Sequence, residues 1–371
     1  LNAMQMKHAL VVLSFNQHNN IIHTKLLIYY LFFSFHILMK KYKNIIVLLG
    51  IASIILLLLS VLFNINNKQQ TVEKFNSEEK EEYEIGKFYP TSLPEDTIYT
   101  IYSISNSPYM EWQADLLDYS FKKSKQPGTL IRLCSDDEGH MNRKRTISKN
   151  GYTLFTKSYA VPAPGKTCAT LNKCFSIDYL FEKYKFNENA MLIFLDPDMI
   201  FVKPWNPYNE FSKGTIYGQK WKGYGYEYCK KTSVDFSKCP QTENYTYMFP
   251  FAIMANDLKD ISTEIATTSK SGFLKHNDWM VDMTAFLTVP IKHNIKIEAV
   301  DNIGICGNWD NANDKDAPIM HYCQPINDKK GNNIWYKQDY KANQDVPNPN
   351  EADNLVGHNV LSTIKSYLKN G

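Results

Sequence analysis

Two carboxylates stand where a hydrophobic run stops. Residues 191–205 read MLIFLDPDMIFVKPW, with Asp196 and Asp198 on either side of Pro197. Residues i and i+2 of an extended chain point the same way, and the following proline biases Asp196 towards that conformation. Both carboxylates can therefore approach one point. So close together they repel, and one takes up a proton unless a cation stands between them. Oxygen ligands suit Mn2+ or Mg2+ better than Zn2+. Such an ion can bridge a diphosphate and stabilise the charge that develops on a leaving nucleoside diphosphate. The plain alternative is a turn, because Asp and Pro are turn residues; the apolar segments on both sides, MLIFL and MIFV, weigh against a surface turn. His321, in PIMHYC, could add a neutral imidazole as third ligand. Position alone favours a partly buried histidine satisfied by its neighbours.

The elements that must place these residues alternate between strand and helix. Thr97–Ile104 (TIYTIYSI) is rich in β-branched and aromatic residues and predicts a strand. Pro108 opens a helix over Tyr109–Lys123, and Pro127-Gly128 marks a turn. Leu130–Leu133 and Ser158–Val161 predict a second and third strand, with a helix over Cys168–Tyr184. Met191–Leu195 is a short, wholly apolar strand of the buried kind. Later segments predict a strand at Met248–Met254, helices at Leu258–Thr268 and Asp278–Val289, and short strands near Ile295 and at Pro318–His321. The alternation predicts an α/β sheet covered by helices on both faces. Ligand sites of open α/β sheets lie outside the carboxyl ends of strands, where the Asp pair falls.

The amino end differs. Ile45–Phe63 is a run of 19 residues without a charge, preceded by Lys40, Lys41 and Lys43. At about 1.5 Å per residue it spans roughly 28 Å, close to the hydrocarbon thickness of a bilayer. The positive flank is expected to stay in the cytosol, which puts the carboxyl side in the lumen or outside the cell. No A-x-A-like site follows it, which disfavours a cleaved signal peptide. The expected organisation is an upstream extension or cytosolic tail (1–38), a single signal-anchor helix (39–64), a polar stem (65–87) and one globular domain (88–371). Membrane attachment is thus expected through one N-terminal helix, in a single-pass type II arrangement of the Golgi or endoplasmic reticulum. Such a lumen permits disulfides. Cys168 with Cys174 and Cys229 with Cys239 are the local candidates among seven cysteines, although spacing does not fix pairing. Asn244-Tyr245-Thr246 is a glycosylation sequon.

Composition narrows the function classes. The 371 residues carry 41 basic and 38 acidic side chains, a formal charge of +3. That balance gives no polyanion footprint, so nucleic acid is not expected as a partner. There is no GxxxxGK[ST] loop and no G-x-S-x-G elbow, which argues against a P-loop nucleotidase and a serine hydrolase of that type. Two-metal hydrolases need more ligands than one acidic pair and one His.

Taken together, these pieces resemble the plant-type hydroxyproline O-arabinosyltransferases and the related peptidyl serine alpha-galactosyltransferases. The opening match is Ser103, Pro108-Tyr109, Trp112-Gln113, Gln126-Pro127-Gly128 and Arg132-Leu133. Asn172-Lys173, LDPDMIFVKP, Trp279, Asp282-Met283 and His321-Tyr322 follow in the family's order, with Asp282 in place of a Glu. The resemblance implies a membrane-anchored GT-A-type glycosyltransferase with a Rossmann-like mixed sheet, a UDP-sugar donor and Mn2+. It implies Asp196, Asp198 and His321 as metal ligands, with Asp196 also touching the donor. It places Ser103, Arg132, Asn172 and Lys173 on the nucleotide side. For Lys173 there is a physical reason as well, since an ammonium pairs with a diphosphate as a point charge. The acceptor would be a hydroxyl of a protein, on hydroxyproline or serine, or of a glycan. Two departures stand out: the segment PAPGKTCAT is shorter than its family counterpart, and Trp221–Tyr247 has no counterpart.

Inverting transfer needs a carboxylate to deprotonate the acceptor hydroxyl. Asp278 and Asp282 are spaced to share one helix face, and either could serve; alternatively, each is a helix N-terminal acid favoured by the macrodipole. The stereochemistry stays open. A reading from another class is a membrane-tethered carbohydrate-binding or adhesion protein without catalysis, whose binding would survive chelation of divalent metal.

Overall fold

The computed structural model describes residues 92–136, 147–208, 211–220, 247–307, 309 and 311–370. The expected extension, anchor and stem, Cys229, Cys239, the sequon and nearly all of the Trp221–Tyr247 stretch lie outside these residues. Among the described residues no helix is long and apolar enough to cross a membrane.

Strand β1 (Ile98–Ser105) is buried along almost its whole length. Ser107 then caps α1 (Pro108–Lys123): its Oγ accepts from the Met110 amide, Pro108 starts the first turn, and Lys122 and Lys123 face the helix dipole at the other end. The return to β2 (Thr129–Ser135) turns at Gly128, whose φ is +91°. A Cβ there would meet the Ile98 carbonyl oxygen at 2.2 Å, so only glycine fits. The third strand is β3 (Tyr152–Thr156), not the expected Ser158–Val161. YTLFT is rich in β-branched and aromatic residues and follows Gly151, whereas Ser158–Val161 runs into Pro162 and gives its Tyr159 amide to the Asn172 side chain. Helix α2 (Thr170–Lys183) leads back to β4 (Met191–Leu195), every residue of which is buried. Each fully buried Leu or Ile there contributes about 1.5–3 kcal/mol.

Beyond β4 come β5 (Met199–Phe201), β6 (Thr215–Lys220), β7 (Tyr247–Met254), the short α3 (Ala255–Lys259), α4 (Ser262–His276), α5 (Val281–Lys292) and β8 (Lys296–Val300). The main sheet has the order β3-β2-β1-β4-β7-β6-β8. Strands β3, β2, β1 and β4 run parallel; β7 is antiparallel to both β4 and β6, and β6 is parallel to β8. This is the expected mixed α/β, Rossmann-like sheet. Alternation along β2 sets its two faces. Arg132 pairs with Asp115 and Asp118 of α1, whereas Ser135 bonds Ser176 of α2. Helices therefore cover both sides.

A smaller sheet of β5, β10 (Ile319–His321) and β9 (Gly304–Cys306) and the hairpin β11–β12 (Ile326–Asn327, Asn333–Trp335) complete the fold with α6 (Leu355–Asn370). A second apolar cluster holds them on the α1 side. Trp112 and Leu116 of α1 meet Ile200, Ile305, Met320, Tyr322, Trp335 and the α6 stripe Val356, Val360, Leu361 and Ile364. Cys168 and Cys174 are free thiols, which corrects the expected local pair. Cys168 packs with Leu171, Phe273 and Val281, whereas Cys174 belongs to the main core.

Candidate functional site

The chain leaves β1 for β2 and β3 on one side and returns to β4 on the other. The switch in direction therefore falls between β1 and β4, and the crevice outside their carboxyl ends is where α/β sheets hold ligands. Asp196 and Asp198 stand there. The Met199 amide donates to the Asp196 carbonyl at 3.2 Å, and the chain continues into β5. Strand β10 pairs antiparallel with β5, His321 opposite Met199, and the Tyr322 amide donates to the Asp198 carbonyl at 3.0 Å. Backbone pairing thus brings His321 to the aspartates across 123 positions of sequence.

The three side chains converge. Ligand atoms of Asp196, Asp198 and His321 all lie within 4.8 Å of one another. His321 Nε2 is 3.2 Å from Asp198 Oδ1, and both residues are buried; Asp196 is half-buried. His321 Nδ1 is buried without a hydrogen-bond partner.

Two lysines complete the cluster. Lys173 Nζ lies 2.6 Å from Asp196 Oδ1 and 2.9 Å from Asp282 Oδ2, and 3.8 Å from the centre of the Phe249 ring. Lys337 pairs with Asp198 Oδ2. Burial alone would raise the Asp198 carboxyl, but His321 and Lys337 hold it well below the usual carboxylate range. Burial would likewise lower Lys173 and Lys337; their aspartates override it and hold both ammonium groups charged. Burial raises the Asp282 carboxyl, opposed by Lys173.

The other expected site residues divide. Asn172 is a brace at the rim: its Nδ2 donates to Ser105 Oγ at 3.2 Å and its Oδ1 accepts from the Tyr159 amide at 2.6 Å. Ser103 sits within β1, paired with Leu133, two residues short of the strand end. Arg132 is not on the nucleotide side. It is fully buried between sheet and α1, where it donates to Asp115 and Asp118 at 2.9 Å each and to Tyr102 Oη at 2.7 Å. Asp278 and Asp282 do not share a helix face. Helix α5 starts at Val281, and Asp278 lies before it with its Oδ1 accepting from the Met280 amide. Asp282 joins the cluster through Lys173.

Lys337 went unread in the sequence, because nothing in NNIWYKQDY distinguishes it from the many solvated lysines. The structure places it through aromatic packing. Trp335 and Tyr340, on either side of it, lie 6.3 and 4.8 Å from the Trp112 ring.

Next to the rim, a cleft of about 680 Å³ lies beyond the carboxyl ends of β2 and β3, lined by Asp136, Thr156, Lys157, Tyr159, Phe175 and Tyr179 among others. The Tyr159 and Phe175 rings stack at 4.8 Å. Asn172, which accepts from the Tyr159 amide of this cleft, precedes Lys173 of the cluster in α2. Compared with known proteins, the chain matches no family model and no curated protein.

Proposed function

We propose that the protein is a metal-dependent glycosyltransferase that moves a sugar of the arabinose or galactose class from a UDP-sugar to a hydroxyl of a protein or glycan. The observation that carries this reading is the meeting of Asp196, Asp198 and His321 at the switch point of the sheet. Two carboxylates and one imidazole fit Mn2+ or Mg2+ by ligand chemistry, and His321 turns Nε2 towards Asp198 at 3.2 Å. When bound, the ion would neutralise the diphosphate of the leaving group.

The chain's own residues supply the rest. Lys173 and Lys337 hold positive charge beside the carboxylates, and are placed to pair with phosphate oxygens once the carboxylates bind an ion. The N-terminus of α2, which has no side-chain cap, adjoins Lys173 and favours an anion. The cleft beyond β2 and β3 has the volume of a small-molecule site and a ring pair on which a base can stack. Asp282, paired with Lys173, is the carboxylate we assign to accepting an acceptor proton; it must first leave Lys173. The membrane anchor and lumenal placement belong to this same proposal.

A non-catalytic carbohydrate-binding protein is the second reading. One observation favours it: each aspartate of the pair already has a lysine, so the cluster is neutralised without any ion. A donor screen separates the two. UDP release is measured with UDP-arabinose, UDP-galactose and UDP-glucose, with Mn2+ and after chelation. Mn2+-dependent release from one donor supports the transferase. Glycan binding that survives chelation, with no UDP release from any donor, supports the second reading.

A further inference from the structure

His321 faces a second set of possible ligands. It lies opposite Cys306 in the parallel β9–β10 pair, and Cys323 follows it by two residues. Cross-strand neighbours share a face, as do residues i and i+2 of an extended chain. The result is a compact group: Cys306 Sγ and Cys323 Sγ are 3.1 Å apart, and one ligand atom from each of Cys306, His321 and Cys323 lies within 4.8 Å of the others. Cys306 is buried and Cys323 half-buried, and neither is in a disulfide. The imidazole beside them has a buried nitrogen, Nδ1, without a partner.

We propose that Cys306, Cys323 and His321 form a second metal site, for a thiophilic ion such as Zn2+. Two thiolates and an imidazole are a soft donor set, unlike the oxygen-rich set of Asp196 and Asp198. Three protein ligands leave one tetrahedral position open to water. With Zn–S bonds of about 2.3 Å, two sulfurs of a tetrahedral site lie about 3.8 Å apart, so the pair need separate by less than 1 Å. Binding needs both sulfurs as thiolates and the imidazole unprotonated, so the protons that the group holds leave to solvent as the metal takes the lone pairs. Because one imidazole serves both sets, two cations held at once would repel each other across it, so Zn2+ on the sulfurs is expected to weaken Mn2+ at the oxygen site. That effect rests on the transferase reading of the oxygen site; the sulfur site does not.

The test uses the full chain, reduced, in detergent and without other metal, titrated with Co2+ as a spectroscopic stand-in for Zn2+. The expected result is a thiolate-to-cobalt charge-transfer band that reaches saturation at one equivalent and is reversed by Zn2+. Cys323→Ser and Cys306→Ala are expected to lose the band and to weaken Zn2+ at least about tenfold, with the folded state checked by circular dichroism. Asp196→Asn is expected to keep the band. Absence of the band in the reduced parent chain overturns the proposal, as does a band unchanged in both cysteine variants. A Cys306–Cys323 disulfide that no thiol reductant opens in the folded chain also overturns it. A band that persists in a chain without UDP turnover supports the sulfur site while removing the transferase reading.

Discussion

Replacing Lys173 by Met removes the charge that bridges two carboxylates while keeping most of the side chain's length and its contact with Phe249. At 2.6 and 2.9 Å, and with an effective dielectric constant of about 20, each contact is a gross attraction of about 6 kcal/mol. Most of that offsets the cost of taking the ammonium and carboxylates out of water. Removing one partner of such a buried pair costs about 3–5 kcal/mol, because the remaining charge is stranded. Asp282 is the stranded group: its side chain is only 3% exposed, and its neighbour Asp196 adds repulsion. Urea unfolding of the metal-free chain is expected to show that loss for Lys173→Met. The double variant Lys173→Met/Asp282→Asn is expected to recover at least half of it, because the asparagine leaves no buried charge behind. A single-variant loss below about 1 kcal/mol, or no recovery in the double variant, would refute the view that Lys173 neutralises the cluster.

Other expectations follow from the same geometry. Lys337→Met frees Asp198, so Mn2+ is expected to bind more tightly in the absence of nucleotide and UDP less tightly in its presence; titration calorimetry with each ligand checks both signs. Arg132→Lys loses the fork that reaches Asp115, Asp118 and Tyr102, and is expected to cost about 2–4 kcal/mol in urea unfolding with no change in turnover per folded molecule. Hydrogen bonds from His293 and Lys292 lower the Glu264 carboxyl at the surface end of α4. A lowered carboxylate stabilises the fold above its unfolded value of about 4.3 and loses that contribution as pH falls through the folded value. Glu264→Gln is therefore expected to cost less than about 1 kcal/mol at neutral pH and nothing at the acid end of a pH series of melts.

The parts of the molecule governed by local pattern were legible in the chain. β4 reads directly from five consecutive apolar residues, and the Asp pair at its end follows from the period of a strand and a proline. Strand alternation with helices gave the α/β sheet covered on both faces; its mixed character came from the resemblance. Long-range pairing was not legible, since no local pattern says that β10 lies against β5; His321 was a candidate from its place in PIMHYC, but position alone favoured a satisfied histidine, and only the resemblance put it with the aspartates. Arg132 was misread because a buried and a ligand-facing arginine look alike in a strand. Its partners were visible as Asp115 and Asp118, one helical turn apart on a segment expected to cover that strand. Asp278 failed because the helix begins only at Val281, so its carboxylate accepts from the Met280 amide ahead of the first turn instead of joining the helix face. Helix α6 went unread, although Val356, Val360 and Ile364 repeat at helical spacing. Lys337 left no sequence signal, since tertiary packing of Trp335 and Tyr340 on Trp112 alone decides where it goes.

The central claim is that Asp196, Asp198 and His321 hold one divalent cation for a UDP-sugar. It is tested most directly by electron paramagnetic titration of the full chain with Mn2+ in the presence of UDP, comparing the parent with Asp198→Asn and His321→Ala. One bound Mn2+ per chain, weakened at least about 100-fold in both variants, is the expected result. Mn2+ binding that is absent from the parent, or equally tight in all three proteins, would contradict it.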